Sequence, residues 1–177
     1  HDGVIDSNDQ APIGYNPVPE MTFSLAAGLN WKGIDFSILL QGAARSSIYL
    51  QQDIAWDNFW GNYYEEHIGR WTPETAATAT YPRFTKAATP AHPNYYKSDY
   101  WLKDSKYLRL KNIQLGYTIP RKLLKKFGVR SLRVYANAYN LFTWDNVKKV
   151  DPESSNNSNG QFYPQQKVIN FGINLNF

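Results

Sequence analysis

The longest regular signal in the chain is a two-residue alternation. From Thr22 to Trp31, Phe23, Leu25, Ala27, Leu29 and Trp31 fall on one side, and Thr22, Ser24, Ala26, Gly28 and Asn30 on the other. Lys32-Gly33 follows. A second run then sets Ile34, Phe36, Ile38 and Leu40 against Asp35, Ser37 and Gln41. Side chains alternate across a strand, and a two-residue turn puts Trp31 opposite Ile34. Both apolar sets therefore land on one face of a β-hairpin. Three more strands are predicted. Tyr107–Thr118 carries Leu108 and Leu110, then Ile113, Leu115 and Tyr117, a phase jump that a bulge near Lys111-Asn112 would absorb. Ser131–Phe142 aligns Leu132, Val134, Ala136 and Ala138. Lys167–Phe177 aligns Ile169, Phe171, Ile173, Leu175 and Phe177 against Asn170, Gly172, Asn174 and Asn176. Between the third and fourth strands, Pro120–Phe127 has helical spacing at Leu123, Leu124 and Phe127, with Pro at its start and Gly128 after it.

The connections alternate in length. Lys32-Gly33 and Ile119–Arg130 are short. Arg45–Lys106 and Thr143–Gln166 are long and rich in Pro, Asn, Ser and aromatics. In up-and-down order every short connection lies at one end and every long one at the other. Outer-membrane barrels have this asymmetry, with short periplasmic turns and long extracellular loops. Strands of about ten residues also match the roughly 9–11 that cross a bilayer at a tilt. The expected fold is all-β, a transmembrane antiparallel β-barrel, with residues 1–177 supplying its C-terminal segment. The layout is an extracellular loop over 1–21, a hairpin over 22–45 and a long extracellular loop over 46–106. Two strands joined by a short periplasmic connection occupy 107–142, a second extracellular loop 143–166, and the final strand 167–177. Five strands cannot close such a barrel, since about eight is the minimum. Further strands are expected upstream or from another chain. The apolar set should face lipid and the set containing Ser24, Ser37, Gln41, Asn170, Asn174 and Asn176 the lumen. Trp31 and Tyr117 are expected in the periplasmic aromatic girdle and Tyr49 near the opposite one. The competing reading is a soluble β-sandwich, a carbohydrate-binding module whose apolar face is core.

Composition agrees with the first reading. Aromatic residues are 16% and charged residues 19%, the latter below the roughly 25% of soluble domains. Net charge is +4, with one basic cluster at Arg121, Lys122, Lys125 and Lys126 and no basic-aromatic module, so nucleic acid is not an expected partner. The absence of Cys removes disulfides, thiolate catalysis and Cys-based zinc sites.

Asn170, Gly172, Leu175 and Phe177 fill the places of the outer-membrane β-signal, a strand read by the barrel-assembly machinery. Further motifs run in order along the chain: Asp2-Gly3-Val4-Ile5-Asp6 with Asn8-Asp9, Arg70-Trp71-Thr72-Pro73-Glu74, Tyr81-Pro82-Arg83 and Ser98-Asp99-Tyr100-Trp101-Leu102. Tyr107-Leu108-Arg109-Leu110-Lys111-Asn112-Ile113, Leu115-Gly116-Tyr117, Leu132-Arg133-Val134-Tyr135, Asn140-Leu141-Phe142-Thr143, Asp151-Pro152-Glu153 and Tyr163-Pro164 complete them. Their shared order resembles the SusC/RagA-like TonB-dependent outer-membrane transporters over essentially the whole chain. That resemblance implies a plugged barrel of roughly 22 strands. It implies a protein that uses TonB, through a part lying outside these residues, and is capped by a SusD-like surface lipoprotein. The implied cargo is an oligosaccharide or a peptide, and the implied location is the outer membrane of a Gram-negative bacterium.

Two candidate sites stand on the residues themselves. Asp2, Asp6 and Asp9, with the carbonyl of Val4, fit the second half of a calcium loop, although a terminal Asp replaces the usual bidentate Glu. An acidic turn fits them as well. Otherwise no cofactor is expected. The long loop carries Trp56, Phe59, Trp60, Tyr63, Tyr64 and Trp71, rings on which sugars or peptides could stack, or which pack loop on loop or against a lipoprotein lid. Catalysis has little support. His1, His67 and His92 have no ligand or triad spacing, Glu65-Glu66-His67 reads as a solvated cluster, and nothing marks Asp99 and Asp104 as an acid/base pair. The protein is not expected to be an enzyme.

Overall fold

A computed structural model describes Gly3 and residues 9–59, 61–86, 92–147, 150–154 and 163–177. The chain divides into two compact units. One comprises His1–Val18, Ser46–Ser105 and Val147–Tyr163, the other Pro19–Arg45, Lys106–Asn146 and Pro164–Phe177.

The second unit is a five-stranded antiparallel sheet in the order β1-β2-β5-β6-β7. Its strands are β1 (Met21–Trp31), β2 (Ile34–Ala44), β5 (Tyr107–Thr118), β6 (Ser131–Asp145) and β7 (Val168–Asn176). The expected hairpin forms in the expected register, Trp31 opposite Ile34 and Leu25 opposite Leu40. Lys32 and Gly33 both take positive φ, 48° and 90°, as a tight hairpin turn of the right twist requires. A Cβ on Gly33 would also lie 2.7 Å from the Thr118 carbonyl oxygen, so the turn needs glycine there. The phase jump in the third strand is a bulge at Lys111. Leu39 and Leu40 pair with Asn112 and Leu110, and on the other side Tyr139 and Phe142 take the same two partners. β6 runs three residues past the expected Phe142, because Thr143, Trp144 and Asp145 pair with Arg109, Leu108 and Tyr107. The short connection holds α1 (Arg121–Leu124) and a 3₁₀ turn over Lys125–Phe127, closed by Gly128 at φ 68°.

The register joins the alternating strands into two faces. Phe23, Leu25, Ala27, Leu29 and Trp31 continue through Ile34, Phe36, Ile38 and Leu40 to Leu110, Ile113, Leu115 and Tyr117. The same face passes through Val134, Ala136 and Ala138 to Ile169, Phe171, Ile173 and Leu175. Much of this face is exposed: Leu25 is 61% accessible, Ile173 69% and Phe171 82%, whereas Leu110 and Ala138 near its middle are buried. In a β-sandwich such side chains would be core, and among the described residues they lie open. Lipid is the environment in which such a face costs nothing. The opposite face carries Ser24, Asn30, Asp35, Ser37, Gln41, Gln114, Asn137, Asn170 and Asn174. The fold is thus a portion of a transmembrane barrel wall, its sheet open at β1 and β7 among the described residues.

One row of the polar face is built with particular economy. Asp35, Gly116, Tyr135 and Gly172 lie side by side across β2, β5, β6 and β7. Arg133 donates from Nε to Asp35 at 2.8 Å and closes a second bond from its Nη2, making a bidentate ion pair across the intervening strand. Gly116 permits it, because a Cβ there would strike the Arg133 guanidinium and lie 2.5 Å from Asp35 Oδ1. Gly172 likewise leaves room for the Tyr135 ring, over which the Arg133 guanidinium sits at 4.8 Å.

The first unit has its own two-stranded sheet, β3 (Ser47–Tyr49) with β4 (Leu102–Asp104), which the alternation signal is too short to reveal. Tyr49 belongs to β3 rather than to the membrane sheet, and its hydroxyl donates to the Tyr95 carbonyl at 3.3 Å. Near the same end of β6, Phe142 and Trp144 stack with ring centroids 6.2 Å apart.

Candidate functional site

The long loop folds around a core of Ile48, Leu50, Ala55, Trp56, Tyr81, Tyr95, Trp101 and Val147. Aromatics fill it because a loop without long strands must gather apolar area from a few large side chains. Their polar atoms are then bonded internally. Asp57, 1% exposed, accepts hydrogen bonds from Tyr95 Oη, from Tyr81 Oη at 3.3 Å and from the Thr85 N–H at 3.2 Å. The Asp57 N–H donates to Tyr81 Oη at 3.0 Å, and Tyr81 Oη also reaches the Ala55 carbonyl at 2.9 Å. Burial, and then the neighbouring Asp57, hold the Tyr81 and Tyr95 phenols well above the ordinary phenol range.

His67 is the second internal anchor. It is 2% exposed. Its Nδ1 accepts the Tyr64 N–H at 3.0 Å, so the proton resides on Nε2, which donates to the Ala55 carbonyl at 3.1 Å. With both nitrogens engaged, the imidazole has none to offer a substrate. The motifs spaced along this loop are its frame. Trp71 N–H donates to the Tyr81 carbonyl at 2.9 Å, Trp101 Nε1 to the Asn94 carbonyl at 2.8 Å and Leu50 N–H to the Trp101 carbonyl at 2.9 Å.

The aromatics expected to meet cargo separate accordingly. Trp56 is 2% exposed, tilted against Tyr95 at 4.8 Å between centroids, and is core rather than a free ring. Phe59 packs on that core edge-on to Trp56. Tyr63, Tyr64 and Trp71 keep exposed surface, and Trp60 lies outside the described residues. Of the calcium set, Asp2, Val4 and Asp6 also lie outside the described residues, while Asp9 is exposed at the edge of a cavity. Among the described residues no three His, Asp or Glu side chains group as a metal site.

That cavity, of about 870 Å³, opens between the segment before Pro12 and the loop, and Tyr49, Gln51, Gln52, Tyr96 and Lys97 help to line it. A second hollow of about 370 Å³ shares Tyr49, Gln51 and Lys97 with the first and extends it past Tyr15. The wall is fixed where Tyr15 N–H donates to Ser47 Oγ at 3.0 Å and Ser47 N–H to the Asn16 carbonyl at 3.3 Å. Gly14, at φ 70°, lies so near that a Cβ would meet Leu102 and stand 2.9 Å from Ser47 Oγ. Trp56 contributes to the wall, and its buried indole N–H finds no acceptor among the described residues. The lining offers rings to stack on and amides, one ammonium and the Asp9 and Asp99 carboxylates for hydrogen bonding. Of the expected aromatics among the described residues, Trp56 borders this groove and Phe59, Tyr63, Tyr64 and Trp71 do not. Tyr95-Tyr96-Lys97, directly ahead of the Ser98-Asp99 motif, was the signal that could have pointed there.

At the far end of the chain, Asn170 and Asn137 join side chains at 3.0 Å on the polar face, and Leu175 stands opposite Leu132 on the apolar one. Phe177, just past β7, is 76% exposed.

No family model matches the chain. It is 30% identical over 195 residues to TonB-dependent receptor P26 of Formosa agariphila, covering 99% of this chain and 19% of that protein. It is 27% identical to TonB-dependent receptor SusC of Bacteroides thetaiotaomicron, over 99% of this chain and 17% of that one. Its fold matches a structure of the RagAB peptide importer in the open-open state with a TM-score of 0.70 at 21% identity, over 98% of this chain and 19% of the other. The chain thus spans about a fifth of the length of the relatives it matches.

Proposed function

This chain belongs to the SusC/RagA-like TonB-dependent receptors of the Gram-negative outer membrane, and from that membership we propose that the complete protein imports an oligosaccharide or a peptide. In this reading the sheet is part of the barrel wall, and the groove beside Tyr49, Gln52 and Tyr96 takes a stretch of the cargo. The apolar face, continuous across five strands, is the observation that supports the reading, because a face of that extent calls for lipid and leaves the polar face for a lumen. Energy comes from TonB, engaged by a part of the protein outside this chain. A SusD-like lipoprotein covers the extracellular side and docks on exposed loop rings such as Tyr63, Tyr64 and Trp71. In this reading no chemical step is required of the protein.

The test is uptake by cells producing the complete protein, offered oligosaccharides or peptides as the sole carbon source. Growth on one class should depend on the protein and on TonB, and Tyr96→Ala with Gln52→Ala should slow it without lowering the amount of protein in the membrane. Growth that persists without TonB would overturn active import.

A further inference from the structure

We propose that the connection between β5 and β6 is a binding site for anionic phospholipid headgroups at the periplasmic surface of the membrane. The inference rests on the outer-membrane reading of the sheet but concerns a surface that cargo does not touch. It begins with charge. From residue 105 to residue 144 the chain has no Asp or Glu. The short connection carries Arg121, Lys122, Lys125, Lys126 and Arg130, and the neighbouring hairpin turn adds Lys32. The acid nearest these cations in the register of the sheet, Asp35, is held by Arg133. Among the described residues none of the six cations is in an ion pair.

The same turn exposes apolar surface. Leu124 is 7% exposed, on the helix that rests against β6, whereas Leu123 is 65% and Phe127 76% exposed. Leu123 with Phe127 is one exposed set on this turn, Lys122 with Lys126 a second and Arg121 with Lys125 a third. Water is a poor environment for the first of these sets, and the density of like charge in the other two favours an anionic partner. A phospholipid interface satisfies all three: phosphates take the ammonium and guanidinium groups, and the upper acyl chains take Leu123 and Phe127. The site also continues the lipid-facing belt. Near the ends it joins, the two strands carry Tyr117 and Val134, both exposed on the apolar face and opposite one another. Beside them Trp31 carries the Lys32 ammonium 4.9 Å from its ring centroid, an arrangement suited to the headgroup level.

The test uses the complete protein in nanodiscs of phosphatidylcholine, with and without phosphatidylglycerol, and nitroxide labels on Phe127→Cys and, separately, Phe171→Cys. Position 171 should be open to lipid-soluble oxygen in both lipids. Position 127 should lose accessibility to a water-soluble relaxation agent when phosphatidylglycerol is present. The lipid shell should favour phosphatidylglycerol by about tenfold. Replacing Arg121, Lys122, Lys125 and Lys126 by Gln should abolish both effects at 127 and leave 171 unchanged. Salt at about 1 M, where screening reaches about 3 Å, should do the same with the charges intact, so a variant that fails to assemble does not remove the test. If 127 stays equally open to water in both lipids while 171 is in lipid, the inference fails and the membrane reading stands. If 171 is open to water, both fail.

Discussion

Arginine in place of Leu25 probes the assignment of faces most directly. Leu25 lies on the apolar face opposite Leu40, six residues from Trp31 at the short-turn end and two from Phe23 near the other. At ~3.3 Å per residue and a tilt of ~40°, the six steps raise Leu25 by ~15 Å above the Trp31 level. A barrel's apolar band is ~25 Å tall, so the side chain sits within ~5 Å of the midplane. Arginine there costs about 2–4 kcal/mol, and the small offset from the centre favours about 2–3. That lowers the folded-to-unfolded ratio about 30- to 150-fold. Ser24, one residue away, faces Gln41 on the polar side, so Ser24→Arg should cost under about 1 kcal/mol. Trp31→Arg, at the interface, should cost about 0–1 kcal/mol in membrane transfer. The assay is urea unfolding of the complete protein from phospholipid vesicles, comparing midpoints at constant slope. A Leu25→Arg variant as stable as the parent, with Ser24→Arg the costly one, would refute the face assignment and the barrel wall with it.

Gly116→Val should break the Asp35–Arg133 pair, since its side chain must occupy the space their charged groups use. Loss of assembled barrel on heat-modifiability gels should exceed that of Gly61→Ala, where a Cβ meets nothing, although φ 79° strains any side chain. The loop core should loosen in alkali. Tyr81 and Tyr95 keep their protons in the fold beyond the ordinary value of 10.0, so their contribution is whole below that pH and declines as pH rises through it. Near-ultraviolet circular dichroism should follow that loss. Tyr95→Phe should lower loop stability at neutral pH by about 1–2 kcal/mol, because Asp57 loses a donor, and should remove part of the alkaline response; an unchanged response contradicts the assignment. Deleting Phe177 should reduce outer-membrane levels of the complete protein if Asn170, Gly172, Leu175 and Phe177 are read during assembly, and quantitative blotting of membrane fractions decides it.

The strand pattern is a local property, and local chemistry determined it. Alternation over ten residues set which side chains share a face, Lys32-Gly33 set the hairpin register, and the phase jump at Lys111 announced its bulge. Each depends on residues within one strand or turn of one another. The pairing of β2 with β5, by contrast, closes over the whole of the long loop, and no periodicity reports it. The row of Asp35, Gly116, Tyr135 and Gly172 exists only once four strands are in register, so the need for two glycines there was invisible in the chain. The loop misled for the same reason. Trp56 stands in sequence among exposed-looking rings, yet it is buried because Tyr95 and Trp101, some forty residues away, come back to cover it. Whether an aromatic in a loop is core or contact depends on which distant side chains return to it. Burial is therefore decided by tertiary structure, whereas the face of a strand is decided by the parity of its positions.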